Sequence, residues 1–128
     1  MARNTTRQGA NFELDVLHYL ETFGYDGLRS SGSRGAVDVV AVGPLRTYEC
    51  GAVPDAEVLF IQCKITNPVI PPAERLKFQD WALRAGAVPL VAFKQADENT
   101  RRVRPHFRRL TGPGPKDWAS WTPGKDHR

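Results

Sequence analysis

The run Val88-Pro-Leu-Val-Ala-Phe93 is apolar at every position and lies between Gly86 and the polar stretch that begins at Lys94. It is too short for a typical helix, and its lack of polar alternation marks a strand buried on both faces. A chain containing such a strand needs a sheet with other elements layered around it, and the remaining sequence supplies them.

Phe12, Val16, Tyr19, Leu20 and Phe23 recur at helical spacing from Asn11 onward, and Gly24 stops the pattern. Leu28-Arg29-Ser30 suits a short strand. Val37-Asp-Val-Val-Ala-Val42 is β-branched and bounded by Gly35 and Gly43-Pro44, so it reads as another. Val58–Lys64 is its partner, across a long hairpin connection over 43–57. Pro71-Pro72 introduces a helix over Ala73–Ala85, patterned by Leu76, Trp81 and Leu83 and ended by Gly86. Val103–Leu110 makes a final strand, and Pro105 assigns it to a sheet edge. This order predicts an α/β sandwich: a central mixed β-sheet flanked by helices. Residues 1–110 form the domain, with the polar residues 1–9 as a mobile basic arm. Residues 111–128, with Gly112-Pro-Gly-Pro115, Trp118 and Trp121, read as a flexible C-terminal tail.

At 128 residues the chain suits one domain, and 41% hydrophobic with 25% charged residues excludes wholesale disorder. Cys50 and Cys63 are too few for a disulfide framework and lack zinc-site spacing, which points to a reducing compartment. No apolar run approaches the roughly 18 residues of a membrane span, and the N-terminus lacks the apolar stretch of a signal peptide. Residues 101–128 carry eight Lys/Arg against Asp117 and Asp126, whereas residues 1–100 carry ten basic against twelve acidic. Late arginines can mark a polyanion partner or a solvated basic tail, and charge alone leaves both readings open.

Side chains on Phe60-Ile-Gln-Cys-Lys64 alternate, so Gln62 and Lys64 share one face while Ile61 and Cys63 share the other. Asp38 opens a strand of Val, Val, Ala and Val, where an unpaired carboxylate would be costly. Pairing the two strands can bring Asp38, Gln62 and Lys64 together, and Glu13 can reach them from the first helix. Two carboxylates and an amide oxygen are hard ligands of the kind Mg²⁺ or Mn²⁺ prefers. With Lys64 beside them, they suit phosphodiester hydrolysis. The plain alternative is that Asp38 caps a turn and Lys64 is a surface cation. His106 and His127 lack companions at metal spacing, His18 reads as a partly exposed residue of the first helix, and Cys63 reads as a small core residue.

Five stretches in order resemble the archaeal-type Holliday junction resolvases, small members of the PD-(D/E)xK nuclease superfamily. They are Arg7-Gln-Gly-Ala-Asn-Phe-Glu13 with Gly24-Tyr25, Arg29-Ser-Ser-Gly-Ser33, Val37-Asp38-Val-Val-Ala41, Ile61-Gln-Cys-Lys64, and Gly86–Lys94. The resemblance implies a restriction-endonuclease-like fold and a homodimer that cuts branched DNA with Mg²⁺ or Mn²⁺. It makes Glu13, Asp38 and Gln62 the metal-binding set and Lys64 the catalytic lysine. Ser31 and Ser33, with Arg29 and Arg34, fall in the loop near the scissile strand, and Arg3 and Arg7 fall in a DNA-contacting arm. Arg101, Arg102 and Arg104 are further candidates for phosphate contacts.

Two features depart from the pattern. Gln62 stands where the family usually has glutamate, which lowers the charge of the site, and the connection over 43–57 is long. Three functions follow from these residues: a junction resolvase, a general or restriction/repair-type nuclease on duplex DNA, and a non-catalytic junction-binding protein. Each places the protein in the cytoplasm, with the nucleoid or, if virus-encoded, in the host. Thirteen Arg against five Lys suggests a GC-rich genome.

Overall fold

The computed structural model describes residues 5–30, 37–45 and 56–123. Helix α1 spans Thr5–Glu21, and Asp26–Arg29 (β1), Val39–Gly43 (β2) and Glu57–Cys63 (β3) follow. Helix α2 spans Pro72–Ala85, and strands Ala87–Ala96 (β4), Val103–Leu110 (β5) and Trp118–Trp121 (β6) complete the chain. The six strands lie in chain order in one sheet. Only the β3–β4 pair is parallel, and α2 forms the crossover between them. The sheet is therefore mixed and carries one helix on each face.

On one face, Phe12, Val16 and Leu20 of α1 pack with Val39, Ala41, Leu59, Ile61, Leu90 and Ala92. On the other, Phe78 of α2 packs with Val91, Val37 and Leu110. Leu90 and Val91 are thus adjacent residues buried in opposite cores, which is why the Val88–Phe93 run has no polar face.

The helix starts earlier than its apolar spacing indicates. Thr5 to Asn11 belong to α1, so the expected mobile arm over 1–9 is helical from Thr5. Helix α2 presents a different face from the one its apolar residues suggest: Arg75, Phe78 and Ala82 are buried, while Leu76, Trp81 and Leu83 are exposed. The reason lies in Arg75. Its guanidinium donates to the Gly112 carbonyl at 2.9 and 3.1 Å and to the Asp117 carbonyl at 2.6 Å. A buried cation is tolerable when its donors are satisfied in this way. Gly86 ends α2 in the left-handed region at φ 69°, where a side chain would be strained.

The same contacts correct the reading of the C-terminal segment. The 111–117 turn is pinned to α2, and β6 pairs with β5 from Phe107↔Trp121 to Leu110↔Trp118. Trp121 is buried and packs edge-on against Phe107 and Tyr25. The segment therefore extends the sheet rather than forming a loose tail through Trp121. It also makes β5 an inner strand rather than an edge. Pro105 is accommodated because β6 pairs only with Phe107–Leu110 and leaves the proline end of β5 uncovered.

Candidate active site

Asp38 immediately precedes β2, where its backbone is clamped from both sides. Its N–H donates to the Ile61 carbonyl at 2.9 Å, and its carbonyl accepts from the Ser30 N–H at 2.8 Å. The β2–β3 ladder ends at Val39↔Ile61. Past that pair, the Cys63 N–H donates at 2.8 Å to Asp38 Oδ2 instead of to a backbone carbonyl. The carboxylate is held by the strand end itself.

Burial raises the Asp38 pKa most. The Cys63 N–H and the Lys64 ammonium act to lower it, and the Glu74 carboxylate acts to raise it; the net shift is upward. Glu13 reaches the same place from α1. Burial raises its pKa, and the Asp38 charge adds to this against the opposing Arg29. Arg29 Nη1 lies 3.7 Å from Glu13 Oε1 and donates to the Ala10 carbonyl at 3.5 Å. Two carboxylates held above their ordinary range in a partly dry pocket form an arrangement that favours an added cation.

Gln62 lies on the α2 side of β3 and is 5% exposed. Its Nε2 donates to Glu74 Oε1 at 3.2 Å, and its Oε1 is buried without a hydrogen-bond partner. Lys64 follows β3, tied by its backbone N–H to the Ala92 carbonyl at 2.8 Å. Cys63 packs toward the α1 core, and burial pushes its thiol pKa up, so it is not disposed to act as a nucleophile.

These residues fit a hard divalent cation: the carboxylates of Glu13 and Asp38 supply charge, and the unpartnered Gln62 oxygen supplies a neutral ligand. Among the described residues, no group of three or more His, Cys, Asp and Glu side chains forms a ready-made metal centre.

The other candidates divide. Arg29 joins Glu13, whereas Arg104 is committed elsewhere: its Nε donates to both Asp97 oxygens at 2.8 and 2.9 Å, and its Nη1 to Tyr19 Oη at 2.9 Å. The guanidinium so engaged ties β5 to the β4–β5 turn and to α1. Arg101 and Arg102 are exposed on that turn. His106 also faces Asp97, at 3.3 Å. Arg3, Ser31, Ser33, Arg34, Cys50, His127 and most of the 43–57 connection lie outside the described residues, as does the side chain of Arg7. Sequence reasoning missed Glu74. An acidic residue in a helix's first turn is favoured by the helix dipole alone, so nothing in the pattern distinguishes it.

A mixed sheet with an acidic residue at the mouth of one strand, an amide and a lysine along the next, and a glutamate from the covering helix has the layout of a PD-(D/E)xK nuclease. The sequence profile of the archaeal Holliday junction resolvase (Hjc) family matches residues 4–111, and the chain belongs to that family of nucleases acting on phosphodiester bonds. Among solved structures, that of Archaeoglobus fulgidus Hjc, a Holliday junction resolvase from an archaeal hyperthermophile, aligns with a TM-score of 0.49 and 24% identity over 77% of this chain and 72% of that chain. No curated protein sequence matches the chain.

Proposed function

We propose that the chain is a divalent-metal-dependent endonuclease that resolves four-way DNA junctions at the site formed by Glu13, Asp38, Gln62 and Lys64. The observation that carries this reading is the Asp38 carboxylate, fixed by the Cys63 N–H at 2.8 Å and flanked by charges from both helices and from Lys64. Glu13, Asp38 and Gln62 would hold Mg²⁺ or Mn²⁺, which when bound supplies Lewis acidity toward a phosphoryl oxygen and toward water. Asp38 needs no reorientation to serve, because the strand end already sets its carboxylate. Lys64 places positive charge beside it, where the attacked phosphate gains negative charge. Arg29 holds Glu13 in position and screens its repulsion with Asp38.

The function extends to a homodimer, since a two-fold junction suits a two-fold enzyme. Leu76 and Leu83, two turns apart on α2 and 55% and 79% exposed, support this as an apolar strip for a second copy. No helix among the described residues is long and apolar enough to cross a membrane. A DNA substrate places the protein with the nucleoid, or in the host cytoplasm if virus-encoded.

The test is cleavage of a labelled four-way junction beside a matched linear duplex, with Mg²⁺, with Mn²⁺ and with EDTA, alongside Asp38→Asn. Paired nicks in the junction alone, lost with EDTA and in the variant, are expected. Equal cutting of the duplex would make it a general nuclease, and metal-independent binding without cutting would make it a junction-binding protein.

A further inference from the structure

We propose that Arg108, stacked between Trp118 and Phe93 on the α2 side of the sheet, holds a phosphate of the DNA strand that leads away from the cleavage site. The inference rests on the nuclease reading above and extends its substrate contacts across β4 to β5. The Arg108 guanidinium carbon lies 3.8 Å from the Trp118 ring centroid and 5.3 Å from that of Phe93, so two rings position the cation. What it lacks is an anion. Among the described residues no carboxylate forms an ion pair with Arg108, and burial is the one influence acting on its pKa, which it lowers. Its Nε is buried without a hydrogen-bond partner, which leaves the terminal nitrogens of a half-buried side chain to meet an acceptor from outside. The other enclosed arginines differ: Arg75 is satisfied by carbonyls and Arg104 by Asp97 and Tyr19. A partly dry cation with no partner in its own chain is costly until an anion arrives.

The strand register indicates which anion. Gln62 pairs with Val91 and Val91 with Arg108, so Arg108 stands in the same cross-strand row as Gln62, two strands away. Trp118 packs with Phe78 and Val91, on the side of the sheet that Gln62 also faces. At ~4.8 Å per strand the two positions are roughly 10 Å apart. A nucleic-acid strand advances ~3.4 Å per nucleotide along its axis, so one seated at the site comes level with Arg108 within roughly three nucleotides. A guanidinium is flat, permanently charged and suited to phosphate oxygens, and the two rings hold it in place before DNA arrives.

The experiment is fluorescence anisotropy of a labelled four-way junction with the full chain, in EDTA and across a salt series. The unmodified protein is compared with Arg108→Met and Arg108→Gln, and thermal unfolding and sedimentation velocity are recorded for each. Both variants remove the charge, so the salt dependence is read even if one of them fails to fold. Each is expected to bind the junction more weakly, with the slope of log affinity against log salt reduced by about one unit. Arg108→Met is expected to keep or raise the melting temperature, because an apolar stem replaces an unpaired, half-buried charge against the same rings. If the unmodified chain binds the junction and both variants keep its slope, Arg108 touches no phosphate and only this inference fails. A lowered melting temperature with an unchanged slope would likewise overturn it, making the stack a contact of the fold. A shift toward monomer with an unchanged slope would assign the cation to a carboxylate of a second copy instead. If the unmodified chain shows no salt-dependent binding of the junction, the nuclease reading falls as well.

Discussion

The Cys63 N–H and Asp38 Oδ2 are 2.8 Å apart, so a β3 amide two residues past the end of the β2–β3 ladder is paired with a carboxylate. Orientation and pairing come from one bond. Asp38→Asn can keep it, because the amide oxygen also accepts from the Cys63 N–H. The variant is expected to fold and to bind a four-way junction, yet to cleave it at least about a hundredfold more slowly in single-turnover assays. Loss of folding, read by circular dichroism, would contradict this account of the bond.

The two raised carboxylates make a pH prediction for the metal-free protein. Asp38 and Glu13 are shifted upward from 3.8 and 4.5, burial being the main cause for each. The folded state then holds protons that the unfolded state has already released, so these groups stabilise the fold below the unfolded values, and that stability is lost as pH rises through the folded ones. In EDTA these two carboxylates should therefore contribute a rise in melting temperature as the solution is acidified through the carboxylate range, against the opposing contributions of His106 and Asp97, whose pKa values are lowered. Asp38→Asn should flatten that slope and raise the neutral-pH melting temperature, and saturating Mg²⁺ should do the same for the unmodified chain. A profile that falls over that range, with the same fall in Asp38→Asn, would count against the assignment.

Arg75 offers a test of the C-terminal sheet extension. Its guanidinium satisfies the carbonyls of Gly112 and Asp117, which lead directly into β6. Arg75→Met keeps much of the apolar stem but leaves those carbonyls without their donor. A loss of about 2–4 kcal/mol is expected. Hydrogen exchange should rise first in β6, which pairs only with β5. Uniform destabilisation, with β6 protected as well as β2, would show that Arg75 does not hold this segment.

How much of this was legible in the residues depends on the distance over which each signal acts. The Val88–Phe93 run and the Phe12–Leu20 spacing specify a strand between two layers and a covering helix, because burial patterns repeat within one element. Alternation along β3 separates Cys63 from Gln62 for the same reason. Arg75 and Trp121 resisted such reading. A charged residue buried against carbonyls about forty positions away has no local signature, and the burial of Trp121 depends on contacts with β5 and Tyr25 that its own segment does not show. The Gln62–Glu74 contact is similar: it joins a strand to the helix of its crossover and exists only once α2 has packed. At Arg104, a basic side chain on a strand suggested a phosphate partner, and folding supplied Asp97 and Tyr19.

That last contrast gives a prediction about DNA binding. Arg102 is exposed on the β4–β5 turn, whereas Arg104, two residues on, has its guanidinium engaged by Asp97 and Tyr19. A side chain that holds a phosphate releases counterions, so its removal lowers the salt dependence of binding by about one unit in a plot of log affinity against log salt. Arg102→Ala is expected to show that change while leaving the melting temperature in place. Arg104→Ala is expected to do the reverse, lowering the melting temperature as β5 loses its tie to α1 and leaving the salt slope intact. Fluorescence anisotropy of a labelled junction across a salt series, beside thermal unfolding, separates the two. A reduced slope in Arg104→Ala would mean that its guanidinium exchanges Asp97 for phosphate when DNA binds, and that the tie seen here is the resting arrangement of a contact residue.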